Sequence, residues 1–383
     1  MTGTDSGASV PTTAALDRLL SEIRARRDEF TRELQLSQPV IDLMKEAGVF
    51  RAMVARRFGG EEWTPAQFLR LIERISIEDG SAGWVASFGF SAVYLSALPI
   101  GTLEAIYRNG PDVVFAGGIY PPQTAIRVAD GVKVSGRWSW GSGSTGAELI
   151  GVGIKLEGEA GGTLPLIAVM PRDRVEIVEN WNVIGLRGTG SHDMVVKDVI
   201  VPDDWVFVRG GGSSLEMPLY RYPTMVLSAQ VLAVVGLGVA RAALDEIIRI
   251  AGGRPSITGA PAMANRPYVQ TELARAEAML RSAKSFFYEM TEESFARISA
   301  GETLDRRTLA LLRLAASNAA RAGAEVARAA YTISGTAGVF ADSAIARAHQ
   351  DAIIVPQHAF LSEGTWQSAG AALLGLDTPP GFP

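Results

Sequence analysis

The spacing of apolar residues changes twice along the chain, and this change restricts the folds that the chain can adopt. From residue 12 to about residue 98, apolar residues recur every three to four positions, as at Leu16, Leu19 and Ile23. From residue 112 to about residue 208 they alternate with polar residues, and after residue 223 the longer spacing returns. Alternation is typical of strands and the longer period of amphipathic helices. The sequence therefore predicts helices, then a β region, then further helices.

The middle region should contain short strands separated by turn residues, the pattern of a small β-sandwich or barrel. We predict them at 113–115, 125–128, 132–134, 149–154, 166–170, 175–178 and 194–201. The helices that follow are predicted at 223–251, 267–300 and 304–334, with shorter ones from Ser343 and at 362–374. Four or five antiparallel helices form a bundle. The expected fold is mainly α with a central β-domain.

A chain of 383 residues exceeds the size at which one core usually divides. We expect an N-terminal helical domain at 1–111, a central β-domain at 112–210 and a C-terminal four-helix bundle at 211–383. Alanine lets helices approach closely and often marks subunit interfaces as well as cores, so its abundance at 304–334 favours a homodimer or homotetramer. These alanines are Ala315, Ala316, Ala319, Ala320, Ala322 and Ala324.

Composition excludes several classes of function. The net charge is −5 with both signs interspersed, which does not fit a nucleic-acid-binding surface. Cysteine is absent, which excludes disulfides and thiolate chemistry and fits a reducing cytoplasm. The first 13 residues have no apolar segment, so we expect a disordered lead-in and not a signal peptide. The apolar run from Met225 to Leu244 is interrupted by polar residues and predicts a buried helix, not a membrane span.

The segment SGRWSWGSGS at 135–144 combines two tryptophans with glycines and serines near a turn. On a strand, Trp138 and Trp140 would project to the same side. Gly141 would let the backbone approach a ligand closely, and Ser139 and Ser142 would offer hydroxyl groups to its edge. The segment therefore favours a wall for a flat, polar-edged ring. The alternative is an ordinary hairpin whose tryptophans belong to the core.

Four motifs appear in an order that resembles a known superfamily over nearly the whole chain. They are Ala116-Gly117-Gly118, Trp138-Ser139-Trp140-Gly141-Ser142-Gly143, the loop from Gly185 to Asp193, and Asp351 followed by His358. With the order of helical, β and helical regions, they resemble the acyl-CoA dehydrogenase fold superfamily. The resemblance is closer to its two-component flavin-dependent monooxygenases, which hydroxylate aromatic compounds.

The resemblance implies an oxygenase component that uses molecular oxygen and reduced flavin, FADH2 or FMNH2, through a flavin C4a-hydroperoxide. The Gly-x-Gly at 236–238 lies in a predicted helix and lacks a third glycine, so no nicotinamide site is visible. A separate reductase would therefore supply the flavin by diffusion. The implied flavin-binding residues are Gly117, Trp138, Ser139, Trp140, Gly141, Ser142 and Arg266. Arg266 would contact the flavin phosphate across a subunit boundary, although a surface arginine is the alternative.

The implied catalytic residues are His358 and Ser142, with Ser142 holding the flavin N5–H. His358 could accept a phenol or indole proton or hydrogen-bond the distal peroxide oxygen; the alternative is a structural cap. The substrate wall is expected from Trp84, Phe88, Phe90, Ser91, Tyr94 and His192, unless these aromatics are simply core. Related hydroxylases often have a histidine where this chain has Ser91. That difference favours an apolar aromatic or polycyclic substrate such as a phenol or indole.

Two other functions remain open from the sequence. Many acyl-CoA dehydrogenases carry a Glu-Gly-Thr element whose Glu removes a proton, and Glu363 begins such an element here. The matching register, however, places that base near Ala359, one helical turn earlier, so Glu363 could not reach the same proton. A non-catalytic scaffold of the same fold is the third possibility. Residues 191–193 cannot form a hydrolase triad because adjacent side chains diverge, and no metal site is predicted.

Overall fold

A computed structural model describes residues 13–158, 164–253, 261–379 and 382. The lead-in predicted at the N terminus lies outside the described residues except for Thr13. Of the two threonines expected to begin the first helix, Thr12 also lies outside them. Thr13 does cap that helix, because its hydroxyl accepts a hydrogen bond from the Leu16 amide at 3.1 Å.

Six helices form the N-terminal region in the described residues. They are α1 Ala14–Glu33, α2 Gln38–Glu46, α3 Pro65–Glu78, α4 Gly80–Ser87, α5 Ser91–Leu95 and α6 Ile100–Ile106. Local sequence fixes their starts. Thr64 and Gln67 form a reciprocal capping box before α3, and the Asp79 carboxylate accepts from the Ala82 amide at 2.9 Å to begin α4.

Seven strands follow and form one mixed sheet in the order β5-β6-β2-β1-β3-β4-β7. They are β1 Phe115–Val128, β2 Gly131–Gly141, β3 Leu149–Leu156, β4 Leu166–Pro171, β5 Glu176–Val178, β6 His192–Val201 and β7 Val206–Val208. β1 pairs antiparallel with β2 and parallel with β3, so it is shared by two halves, and β4 lies against β6 of the other half. The prediction of two separate strands at 113–115 and 125–128 was wrong, because β1 continues through a register shift between Gly118 and Gln123.

The C-terminal region is helical. Its helices are α7 Pro218–Arg221, α8 Thr224–Gly253, α9 Pro267–Ser299, α10 Arg306–Ser334, α11 Ala344–Ile354 and α12 Glu363–Leu373. α8 and α10 approach so closely that a Cβ on Gly323 would lie 2.6 Å from the Gly236 carbonyl oxygen. α8 also packs on α3, where a Cβ on Gly238 would lie 2.5 Å from the Ser76 side chain. Helix packing therefore explains the Gly-x-Gly of this helix.

The Ala-rich α10 and the long α8, which the alanine content led us to expect at a subunit interface, pack against each other within one chain. Four of the alanines of α10, at positions 315, 316, 319 and 320, are fully buried in the core of the single subunit. Among the described residues, none of the helices combines the length and apolar character that crossing a bilayer requires.

The loop between β5 and β6 is fixed to two helices. The Leu186 amide donates to Asp351 of α11 at 2.6 Å, and the Gly188 amide donates to Ser81 of α4 at 3.0 Å. Burial, followed by the nearby Asp79 carboxylate, raises the pKa of Asp351 to about 7. Burial also raises the pKa of Asp79. The late Asp of the recognised motif is thus an anchor for this loop, with its carboxyl group away from solvent.

Replacing Asp351 with Asn should change how stability depends on pH. The folded-state pKa of about 7 lies above the unfolded value of about 3.9, so the folded chain binds more protons between these values. Stability from this group is present at low pH and is lost as the pH rises through 7. Asn keeps an oxygen for the Leu186 amide but cannot ionise. We expect the melting temperature of the variant, relative to the unmodified chain, to rise from pH 5 to pH 8; a constant difference would contradict the assignment.

Candidate active site

The two tryptophans of the 135–144 segment do not share a face. Trp138 is fully buried and its indole N–H donates to the Gly153 carbonyl at 2.8 Å. Trp140 has a φ of 68° and is 66% exposed. The pairing of β2 with β6 shifts between Trp138 and Gly141, and this bulge turns the second indole to the opposite side. The expectation of a double tryptophan wall was therefore wrong, and Trp138 belongs to the core.

Trp140 and its surroundings fit a flat cofactor with polar edges. Its ring meets Trp181 edge-on, with centroids 5.5 Å apart, and the buried indole N–H of Trp181 has no hydrogen-bond partner. His192, buried beside them, accepts from the Trp181 amide through Nδ1 at 3.0 Å, and burial lowers the pKa of its imidazole. A large exposed aromatic beside an unused buried donor fits an isoalloxazine ring.

Other residues predicted to bind the cofactor are needed for packing or for hydrogen bonds within the β region. A Cβ on Gly117 would lie 2.8 Å from the Gly151 carbonyl, and one on Gly141 would lie 2.8 Å from the Met194 sulfur. Packing inside the β region therefore requires glycine at both positions, whether or not a ligand lies against their backbone. The Ser139 hydroxyl is hydrogen-bonded to the carboxylate of Asp193, the neighbour of His192.

A buried chain of hydrogen bonds connects Ser142 to the helical region. The Trp84 indole N–H donates to the Ser142 hydroxyl at 3.2 Å, and the hydroxyls of Ser142 and Ser191 are 2.7 Å apart. Ser191 in turn lies 2.7 Å from the Thr189 hydroxyl. The ring of Trp84 lies 6.0 Å from that of His358. Two residues predicted for catalysis, 216 positions apart, are thus joined through one predicted substrate residue.

His358 is a neutral imidazole in this environment. Burial, and then the positive charges of Arg209 and Arg313, lower its pKa to about 4. Its Nδ1 accepts a hydrogen bond from the Phe360 amide at 3.2 Å. The single proton of the neutral ring therefore lies on Nε2, which acts as a donor. Of the two roles predicted for His358, this arrangement favours hydrogen-bond donation over proton abstraction.

The aromatic residues of α4, α5 and the turn between them differ in their surroundings. Phe90 meets Tyr94 edge-on at 5.7 Å, and both are buried. Phe88 is partly buried against the core. The Ser91 hydroxyl donates to the Phe88 carbonyl at 2.6 Å, so it is engaged by the turn that precedes α5. Phe90 and Tyr94 therefore form a buried aromatic pair, and their role as a substrate wall stays a prediction.

Sequence reasoning missed two buried arginines, Arg209 and Arg313. Arg209 donates to the hydroxyls of Tyr94 at 2.7 Å and Tyr120 at 3.1 Å. Both guanidinium groups lie close to the Phe360 ring. Their distances to its centroid are 5.2 Å for Arg313 and 4.9 Å for Arg209. For Arg313 the sequence contained one indication of burial, because leucines flank it on the apolar face of α10.

Arg266 and Glu363 lie away from these contacts. Arg266 donates to the Pro261 carbonyl at 2.9 Å, at the start of α9. The Glu363 side chain is 78% exposed and pairs with Arg321. An exposed, ion-paired carboxylate does not fit a base that must act in a dry site. Within the ranges that the structure describes, no cluster of three or more His, Asp or Glu side chains could hold a metal ion.

Comparisons with known proteins agree with this architecture. The family model for the acyl-CoA dehydrogenase C-terminal domain matches residues 230–363. The indole-3-acetate monooxygenase of Pseudomonas putida is 52% identical, with 96% of this chain and 95% of that protein covered. The flavin-dependent monooxygenase oxygenase subunit HsaA of Rhodococcus jostii is 28% identical, covering 75% and 78%. The crystal structure of the 3-HSA hydroxylase from Rhodococcus sp. RHA1 superposes with a TM-score of 0.88 at 25% identity, covering 95% and 96%.

The fold is that of the acyl-CoA dehydrogenases. The chain belongs to the flavin-dependent monooxygenases that share this fold. It is therefore an oxygenase whose cofactor is flavin, and the predicted family is confirmed. The alternatives of an acyl-CoA dehydrogenase and a scaffold without activity are set aside.

The two tryptophans should respond differently to replacement with alanine. Trp138→Ala removes a fully buried indole and should lower the free energy of unfolding by about 3–5 kcal/mol. Trp140→Ala should change it by less than about 0.5 kcal/mol but weaken reduced-flavin binding roughly tenfold, since aromatic stacking contributes up to about 1.5 kcal/mol. Urea unfolding and anaerobic flavin titration measure the two quantities. Unchanged flavin affinity in Trp140→Ala would remove Trp140 from the cofactor site.

Proposed function

We propose that the chain is the oxygenase component of a two-component system that oxygenates an indole-type aromatic substrate, with indole-3-acetate as the first candidate. The contact series from Ser142 through Trp84 to His358 carries this proposal, because it joins the predicted flavin-binding turn to a neutral hydrogen-bond donor within an aromatic wall. The 52% identity to the Pseudomonas putida indole-3-acetate monooxygenase supports the choice of substrate.

Trp140, Trp181 and Ser142 would hold the flavin. The exposed ring of Trp140 would stack on it, and the unused indole N–H of Trp181 would donate to its polar edge. The hydroxyl of Ser142 would hold the flavin N5–H, as the resemblance implies. Bound reduced flavin would supply the electrons that activate dioxygen. A separate reductase would deliver it, because the glycines of α8 serve helix packing and not nicotinamide binding.

His358 would act as a hydrogen-bond donor and would not remove a proton from the substrate. Its Nε2–H would donate a hydrogen bond to an oxygen atom of the reactants, while Nδ1 stays engaged with the Phe360 amide. Trp84 and Tyr94 would position the flat substrate and keep water out, since both are more than nine-tenths buried. Excluding water strengthens the hydrogen bonds that orient the reacting groups.

Replacing His358 with Ala should lower product formation about 100- to 1,000-fold, the effect typical of removing one donor that stabilises a transition state. Reduced-flavin binding should persist, and the reducing equivalents should leave as hydrogen peroxide. The measurement is product and peroxide yield per NADH with a coupled reductase. His358→Asn, which retains a donor, should recover part of the yield.

Glu363→Gln is the matched control, because Glu363 is exposed, pairs with Arg321 and lies near His358 in sequence. We expect its product yield to stay within about twofold of the unmodified enzyme, as for other surface substitutions. A loss of activity in Glu363→Gln equal to that in His358→Ala would contradict the proposed roles.

The active oxygenase should be a homodimer or homotetramer in the cytoplasm. The proposed interface uses α9, which exposes Tyr268 at 55% and Met279 at 45%. Arg266 at the start of α9 would then lie near a neighbouring subunit and reach its flavin phosphate. Light scattering at micromolar concentration should give two or four subunits, and Met279→Arg should reduce the mass; a monomer would contradict the proposal.

A further inference from the structure

Two buried guanidinium groups lie near His358 without an acidic partner. Arg209 is 6% exposed and Arg313 is 3% exposed. Within residues 13–158, 164–253 and 261–379, their hydrogen bonds go to neutral oxygens and neither forms an ion pair with a carboxylate. Buried charges in proteins are normally paired, because removing an ion from water is unfavourable. Their burial calls for an anion that the described part of the chain does not provide.

Arg313 has unused hydrogen-bonding capacity. Its Nη2 donates to the Phe360 carbonyl at 3.3 Å, while Nε and Nη1 are buried with no partner. Burial, and then the charge of Arg209, lower the pKa of Arg313 only to about 10, so it remains a cation at neutral pH. A carboxylate would satisfy both the charge and the unused donors.

The tyrosines that Arg209 contacts do not balance its charge. Burial raises the pKa of Tyr94, so its phenol stays neutral at neutral pH and accepts the hydrogen bond from Nε without contributing a negative charge. Arg209 therefore adds a second positive charge beside that of Arg313. Both guanidinium groups contact aromatic rings: Arg209 contacts Tyr120 and Phe360, and Arg313 contacts Phe360 and Phe382.

The two arginines lie beside residues of the proposed substrate site, which indicates a role in substrate binding as well as in the fold. Both guanidinium groups contact the ring of Phe360, at 4.9 and 5.2 Å. Phe360 lies 5.3 Å from the His358 ring, and both positive charges act on that imidazole. The aromatic wall of the site thus ends at a cationic group.

We propose that Arg313, assisted by Arg209, binds the carboxylate of an aromatic acid and selects such acids over their neutral analogues. The inference rests on the proposed function for the aromatic ring and the reaction, and it adds the group that determines specificity. The flavin phosphate is the other anion available to the enzyme. The aromatic neighbours of these arginines favour the substrate carboxylate, and flavin affinity separates the two sources.

The test compares an acid with its neutral amide. In the full chain, dissociation constants for indole-3-acetate and indole-3-acetamide are measured by calorimetry for the unmodified protein, Arg313→Met and Arg313→Lys. Arg313→Met should weaken acid binding roughly 10- to 100-fold, since hydrogen bonds to charged groups are among the stronger ones, and change amide binding less than threefold. Arg313→Lys should retain part of the acid affinity.

Arg321→Met is the matched control, because Arg321 lies on the same helix and its side chain is 48% exposed. It should leave both affinities unchanged. Without ligand, Arg313→Met should melt at the same or a higher temperature, because it removes an unpaired buried charge. Indole-3-acetate should raise the melting temperature of the unmodified protein but not that of Arg313→Met.

Three outcomes would overturn the inference: equal loss of acid and amide binding in Arg313→Met, undiminished acid binding, or reduced-flavin affinity that falls with the acid affinity. Failure of the proposed function is a separate result. If the unmodified protein prefers the acid through Arg313 but does not oxygenate it with reduced flavin and dioxygen, the function fails and the arginine site stands. If it oxygenates acid and amide equally well, the arginine inference fails and the function stands.

Discussion

The attachment of the 185–191 loop to α4 and α11 is the constraint on which the site depends. The Leu186 amide reaches Asp351, and the Gly188 amide reaches Ser81, so one loop of the β region is fixed to the first and last helical regions. Ser191 of the same loop then lies 2.7 Å from Ser142. Because these bonds are buried, they are costly to break, and they fix the 138–143 turn in one position relative to α4. Trp84, which donates to Ser142, and His358, which lies beside Trp84, are positioned by this attachment.

Two buried positive charges without a carboxylate partner among the described residues lie beside His358. The Asp79 and Asp351 carboxyls are buried but serve the fold through backbone hydrogen bonds. Arg209 and Arg313 are buried as deeply, and within the part of the chain that the structure describes their hydrogen bonds go to no carboxylate. Strongly perturbed groups that the fold does not need are concentrated at functional sites. Burial, and then these two positive charges, keep His358 neutral, and the Phe360 amide on Nδ1 leaves its proton on Nε2.

The chain also shows how one fold supports two chemistries. An acyl-CoA dehydrogenase needs a carboxylate base in a dry site, and the nearest sequence candidate, Glu363, lies at the surface with Arg321. At the position near Ala359 where that base would stand, the chain has His358, enclosed by aromatic rings. Fold alone does not set function; the groups placed in the site do. At this position the chain therefore has a neutral imidazole in place of a carboxylate.

The sequence by itself determined the helices, most strands and the family, because caps, periodicity and short motifs depend on residues close together in the chain. The long helix at 224–253, predicted at 223–251, is an example. Only the tertiary structure decided that Trp138 is core and Trp140 is exposed, since a bulge against β6 separates them. It alone also revealed the arginines: Arg209 meets Tyr94 across 115 positions of sequence, and burial without a counter-ion is a property of the packed chain that no local pattern carries.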